Sequence, residues 1–192
     1  MKIGSTVKSV LDEAKKGADQ RKHPFHILNL AYKSEYAESC SVVLQEVLQD
    51  ERLLRFHTHF SAPKVAAFQS DPKVSLMGYS RELKLQVRFK GRVHLHHMDE
   101  LTKRVWSQMR DSSKHCYQLP APGTALTDVG VSLSPDVMQD NLLKDPVIGY
   151  TSFMVCMLEC EQIDVLELYH KGHQRRLYEW QEGQWGVSDI QA

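Results

Sequence analysis

Phe56-His57-Thr58-His59-Phe60-Ser61-Ala62-Pro63-Lys64 opens the stretch that decides the fold, and Gln86-Val87-Arg88-Phe89-Lys90-Gly91 closes it. The first segment predicts a strand end rich in hydroxyl and imidazole groups that runs into a helix start bearing a lysine. Ala62 to Gln69 is that short helix, ended by Ser70-Asp71-Pro72, and Val74 to Tyr79 is a further strand. Leu85, Val87, Phe89, Val93 and Leu95 then alternate with Gln86, Arg88, Lys90, Arg92 and His94. That period of two predicts a long strand with one buried and one polar face. Gly91 interrupts the apolar set, so a bulge or bend is expected there. A helix start, a lysine, an amide and a guanidinium together suit a phosphorylated, planar ligand.

Upstream, Val7, Val10, Leu11 and Ala14 recur at helical spacing and predict an amphipathic helix over about residues 4–20, capped by Ser5 or Thr6. Phe25 to Tyr32, Ser41 to Leu48 and Arg52 to Thr58 follow as strands of a meander, with Ser34 to Ser39 as a polar turn. Downstream, Leu101, Val105, Trp106 and Met109 form the apolar stripe of a helix over Asp99 to Arg110. Asp111 to Gly130 is a long irregular connection, of a length that serves a function or an interface more than a simple turn. Ser134-Pro135-Asp136 opens another helix. Val147 to Glu161, Ile163 to Tyr169 and Arg175 to Trp180 are strands, with turns at Gly172 and Gly183. Antiparallel strands with helices in the connections predict an α+β fold built on a barrel, as one domain over residues 1–192.

The chain has 24 Lys plus Arg against 24 Asp plus Glu, so no global field attracts nucleic acid or an anionic membrane. Its four cysteines are too few for a disulfide scaffold; Cys156 and Cys160 are expected to be buried on one strand face. The start turns polar at once, and no apolar run reaches the roughly 18 residues of a membrane span. A cytoplasmic, reduced protein is expected.

The order of these segments resembles the pyridoxamine 5'-phosphate oxidase family, the FMN-binding split barrels, from about Phe25 to Trp185. Cys40-Ser41-Val42-Val43-Leu44-Gln45 stands at the family's first cofactor strand. Phe56-His57-Thr58-His59 stands at its aromatic-tyrosine-threonine-asparagine segment, and Ser61-Ala62-Pro63-Lys64 at its serine-arginine-lysine helix start. Leu85 to Gly91 is similar to its Gln-Val-Arg-x-x-Gly strand, and Leu166 to Tyr169 with His173, Arg175, Arg176 and Trp185 to its closing strands. The Pro122-Gly123 loop resembles a subgroup of uncertain substrate. The resemblance implies a six- to eight-stranded antiparallel split β-barrel with peripheral helices, acting as a homodimer with FMN at the subunit interface.

It further implies that Ser41, Gln45, His57, Thr58, Ser61, Lys64, Gln86, Arg88 and Tyr169 bind the cofactor, with Lys64 near the phosphate and Gln86 at the ring edge. Trp106, Arg110 and Arg175 fall to a substrate of unknown identity. Three usually basic positions are Cys40, Gln45 and Pro63 here, which lowers the expected FMN affinity, since each charge-assisted bond contributes about 1.5–3 kcal/mol. Leu177 stands where the biosynthetic oxidase has a histidine, and Glu179 where the family carries a further arginine. The oxidase reaction itself is therefore disfavoured, and a flavin-dependent oxidoreductase of other specificity is expected.

Plainer readings stay open beside this one. Thr58, Lys64, Gln86 and Arg88 could be an ordinary strand threonine, a solvated first-turn lysine and a polar strand face. Two other functions also stay open: a non-catalytic barrel with weakened flavin affinity, and a haem-handling split barrel using His94, His96 and His97. For those histidines a metal role is not expected, for want of a nearby acidic partner.

Overall fold

The computed structural model describes residues 3–123, 146–170 and 172–192. The predicted helix at Ser134 and part of the irregular connection lie outside those residues.

After a 3-10 turn at Ile3–Ser5, α1 runs over Val7–Asp19. Thr6 is its cap: Ser9 N–H donates to the Thr6 hydroxyl at 3.1 Å. Val10, Leu11 and Ala14 of α1 are buried against the sheet.

Among the described residues nine strands form one antiparallel sheet: β1 (Ile27–Lys33), β2 (Ala37–Val43), β3 (Glu46–Leu48), β4 (Leu53–His59), β5 (Lys73–Ser80), β6 (Leu85–His96), β7 (Phe153–Glu167), β8 (Gln174–Gln181) and β9 (Gln184–Ile190). The count exceeds the expected six to eight because short β3 and the terminal hairpin β8–β9 join the same sheet. Strand order is β2-β1-β5-β6-β7-β4-β3, with β8 on the far half of β7. β2 and β3 are separated by two residues yet lie at opposite ends of that order, so the sheet must roll round to bring them together. Leu44 N donates to His26 O at 2.9 Å and Gln45 N to Arg55 O at 2.8 Å, tying this joint to both ends. The predicted single strand Ser41 to Leu48 is thus two strands, broken where the chain crosses from one sheet end to the other.

β7 is the spine. Its first half pairs with β4, its second half with β8, and its whole length with β6. The register shifts between Lys90 and Gly91, the bulge that the sequence predicts. A Cβ on Gly91 would lie 1.8 Å from Glu159 O, so only glycine lets the two strands approach this closely. Two predicted strands, Val147 to Glu161 and Ile163 to Tyr169, are therefore one long strand. Its start moves to Phe153, because α5 (Pro146–Thr151) precedes it with a proline in its first turn.

The barrel interior holds Leu28, Leu30, Leu54, Phe56, Leu76, Val87, Phe89, Leu158 and Ile163, all fully buried. α2 (Pro63–Ser70) packs Val65 and Phe68 into this core. Cys156 and Cys160 are buried as expected, and burial pushes each thiol up to about 12. On the outside, α3 (Glu100–Gln108) covers a second cluster of Val105, Phe153, Val155 and Met157, and α4 (Asp111–Lys114) follows it. Among the described residues no helix is long and apolar enough to cross a membrane.

Candidate cofactor site

Strand alternation divides the predicted site residues between two faces of the barrel wall. On β4, Leu54 and Phe56 point into the core, and Thr58 continues that face as a buried side chain. α2 begins five residues later, and Lys64 Nζ comes to 3.4 Å from Thr58 Oγ1. Lys64 makes no ion pair with a carboxylate among the described residues. Ala62 caps α2 without a side-chain hydrogen bond, and Pro63 occupies its first turn. Pro63 has no N–H, and the N–H groups of Ser61, Ala62 and Val65 donate to His59 Nδ1, His59 O and Ala62 O. The start of α2 therefore offers the Lys64 N–H, the positive end of the helix dipole and one ammonium, with exposed Ser61 beside them. These are the attributes of a phosphate cradle.

Gln86 and Arg88 lie on the other face. They alternate on β6 with the buried Leu85, Val87 and Phe89, so they point out of the barrel. Gln86 pairs with Tyr79 of β5 and Leu166 of β7, and Leu166 pairs with Arg175 of β8. Gln86, Leu166 and Arg175 thus form one row across three strands. In the neighbouring row Arg88 pairs with Asp164. Arg88 and Arg175 both bind the Asp164 carboxylate, Arg175 through Nε at 2.9 Å and Nη2 at 2.8 Å. Burial works against the charge on Asp164, but the Arg175 hydrogen bonds and the Arg88 charge outweigh it and hold the carboxyl below its usual range. Tyr169 follows β7 next to the start of β6, where Leu168 N donates to Lys84 O at 2.8 Å. Ser41 is exposed on β2, opposite Asn29, whose other partner Met77 pairs with Arg88.

One chain therefore does not gather Thr58, Lys64 and Gln86 into a single cradle, as the sequence reading expects. Thr58 pairs with Met154 and Gln86 with Leu166, twelve residues further along β7, and the two side chains leave opposite faces. The reason is that β4 and β6 flank β7 on different edges, and Thr58 pairs near the start of β7 while Gln86 pairs near its end. The assignment of Arg175 beside Trp106 and Arg110 also changes: Arg175 belongs to the Gln86 row. Trp106 is packed among Phe153 (5.2 Å between ring centroids), Tyr150 and Tyr117, and Arg110 is exposed at the start of α4. Gln45 is exposed in the β2–β3 joint. Cys40 packs against the barrel core.

His57 leaves β4 on the opposite side from Thr58 and meets the Phe153 ring edge-on at 5.0 Å. Burial, with the Arg55 charge adding to it, lowers its pKa to about 3, and its Nε2 is buried without a partner among the described residues. His94 and His96 do have acidic partners, contrary to expectation: Glu159 at 3.0 Å and Asp99 at 2.8 Å. His97 bonds Thr151 O and stacks on Phe60 at 4.1 Å. Among the described residues no group of three His, Cys, Asp or Glu side chains could hold a metal ion. Sequence reasoning missed Asp164, which joins Arg88 and Arg175; an aspartate inside the apolar run Ile163-Asp164-Val165 was the available signal.

Residues 34–128 match the family model described as Pyridoxamine 5'-phosphate oxidase. None of the curated proteins matches the chain. Among solved structures, a pyridoxamine 5'-phosphate oxidase-related, FMN-binding protein from Nostoc punctiforme superposes with a TM-score of 0.80 at 20% identity, covering 98% of each chain. PhzG from Burkholderia lata, in complex with tetrahydrophenazine-1-carboxylic acid, gives 0.76 at 16% identity, over 98% of this chain and 93% of that one. At these identities the structural likeness establishes the split-barrel fold. With that fold and the matched sequence model in agreement, the protein belongs to the pyridoxamine 5'-phosphate oxidase-like family.

Proposed function

We propose that this protein binds FMN between two copies of the chain and acts as a flavin-dependent oxidoreductase on a small substrate. One observation carries the reading: Lys64 with Thr58, and Gln86 with Arg88 and Arg175, are two half-sites on opposite faces of one barrel wall. A flavin needs a phosphate cradle and a polar partner for its ring, so one copy supplies the first and its partner the second. The surface for that meeting lies beside Gln86. Tyr79, which pairs with Gln86, is 50% exposed; Ile27 and Val43, which pair with each other, are 57% and 39% exposed. Apolar side chains clustered on an open sheet face mark an interaction surface. An isologous dimer would bring two such faces together and form two equal sites.

The residues present fit the group. The Lys64 ammonium, which pairs with no carboxylate among the described residues, and the positive end of the α2 dipole balance a phosphate. Thr58 gives a hydroxyl to the cofactor chain, and the Gln86 amide, which takes no partner within the chain among the described residues, can donate and accept at the ring edge. Bound FMN would supply the electron transfer, while these side chains orient it and set its electrostatics. The family relatives support the choice of ligand, since the Nostoc protein is described as FMN-binding. Residues 1–192 form one domain in this proposal, working in a reducing cytoplasm that leaves all four thiols free.

A second reading, a non-catalytic barrel with weak flavin affinity, is favoured by Cys40, Gln45 and Pro63 at usually basic positions. The absorption spectrum of purified protein, an FMN titration and the mass in solution separate these outcomes. Dimeric protein that takes up one FMN per chain and passes electrons from NAD(P)H supports the enzyme. Millimolar binding without reduction supports the module, and a colourless monomer indifferent to FMN overturns both.

A further inference from the structure

Asp164 is 2% exposed, yet it lies on the outward face of the sheet, where two guanidiniums clasp it. Arg88 reaches it from β6 on one side of β7, and Arg175 from β8 on the other. Arg175 uses two parallel N–H donors, the fork geometry that fixes a guanidinium plane as well as its position. Two positive charges share one negative charge, which leaves the cluster with one formal positive charge. The Arg88 and Arg175 side chains are 33% and 28% exposed, so this charge reaches the surface beside Gln86. Arg88 Nε has no hydrogen-bond partner among the described residues. A purely structural ion pair would need only one arginine, and a buried carboxylate adds little stability beyond matching its own desolvation.

We propose that Asp164 is a positioning residue: it locks Arg88 and Arg175 side by side as one rigid, singly positive receptor for the electron-rich pyrimidine edge of the flavin, next to the Gln86 amide. This rests on the FMN reading for its ligand, but the locking itself is a property of the free protein. The pyrimidine edge carries two carbonyl oxygens and gains negative charge when the ring is reduced. A fixed positive charge beside it therefore favours the reduced form. Asp164 moderates that effect, because it cancels one of the two arginine charges.

This arrangement predicts opposite signs for two substitutions. Asp164→Asn leaves two uncompensated guanidiniums and should raise the midpoint potential of bound FMN. Arg175→Gln removes the net charge and should lower the potential, weakening FMN binding about tenfold or more. Asp164→Glu keeps the charge and should restore a value near wild type. Shifts of the same sign in Asp164→Asn and Arg175→Gln, or no shift in either, would overturn the proposal. If Asp164→Asn fails to fold, Arg88→Gln replaces it: it should lower the potential as Arg175→Gln does, and an unchanged potential counts against the idea.

The free protein gives an independent readout. Side-chain Nε–H resonances of Arg88 and Arg175 should be sharp and slow to exchange in wild type, and both should broaden in Asp164→Asn while remote backbone amides stay in place. Arginine signals indifferent to Asp164 would refute the locking. Wild-type protein that takes no FMN sinks the cofactor reading, and the arginine signals then still decide whether Asp164 positions the pair.

Discussion

Lys64 Nζ stands 3.4 Å from Thr58 Oγ1, and the barrel wall separates this pair from Gln86. If each flavin draws on both half-sites, the two must come from different chains. Lys64→Ala should weaken FMN binding about 10- to 150-fold, the equivalent of one charge-assisted hydrogen bond. Gln86→Ala should also weaken it. The decisive experiment mixes the two variants by unfolding and refolding them together. Heterodimers then carry one intact site and one doubly damaged site, so about a quarter of all sites should recover wild-type affinity. A mixture that binds no better than its parents would show that both residues act within one chain.

His57 makes stability fall in acid. The free imidazole titrates near 6.5, and burial lowers the folded value to about 3. Between those values the unfolded chain binds the proton that the folded chain refuses. The contribution is complete above about pH 6.5 and is lost as pH falls toward 3, at up to about 1.4 kcal/mol per pH unit. His57→Phe keeps an aromatic ring against Phe153 and removes the titration. Urea midpoints measured from pH 7 to pH 4 should show a shallower decline for that variant. Parallel curves would show that His57 is not the group responsible.

Much of this architecture is visible in the residues, and the exceptions have physical causes. The alternation from Leu85 to Leu95 and the interruption at Gly91 predict β6 and its bulge, because a two-sided strand records its faces in every residue. The α1 stripe and the Thr6 cap are local signals of the same kind. The division of Ser41 to Leu48 is invisible, since it depends on where the sheet ends meet after rolling. So is the unity of β7, whose extra residue at the bulge disturbs its alternation. At the site, residue types were legible and the partition was not. Thr58 and Gln86 each suit a flavin, but only pairing to opposite ends of β7 shows that one chain cannot bring them together.

Pro63 offers a gain of function. It is exposed in the first turn of α2, one residue before Lys64, where the family resemblance places an arginine. The position needs no backbone N–H for the helix, so a different residue costs little structure. Pro63→Arg adds a second cation to the proposed phosphate cradle and should tighten FMN binding by about tenfold or more. The gain should shrink with added salt or inorganic phosphate. An affinity unchanged by the arginine would mean that the cofactor phosphate does not lie at this helix start.

Gly91 tests whether the bulge holds the two halves of the barrel in register. A methyl group there would sit 1.8 Å from Glu159 O, a backbone atom of the strand that carries both Met154, opposite Thr58, and Leu166, opposite Gln86. Gly91→Ala cannot be relieved by turning a side chain, so β6 and β7 must separate. The expected cost is about 3 kcal/mol, at the upper end for overpacking, read as a lower urea midpoint. Because the bulge sets the spacing between the Thr58 and Gln86 ends of β7, FMN affinity should fall even where the variant remains folded. A variant that keeps both wild-type stability and wild-type affinity would show that this contact does not govern the site.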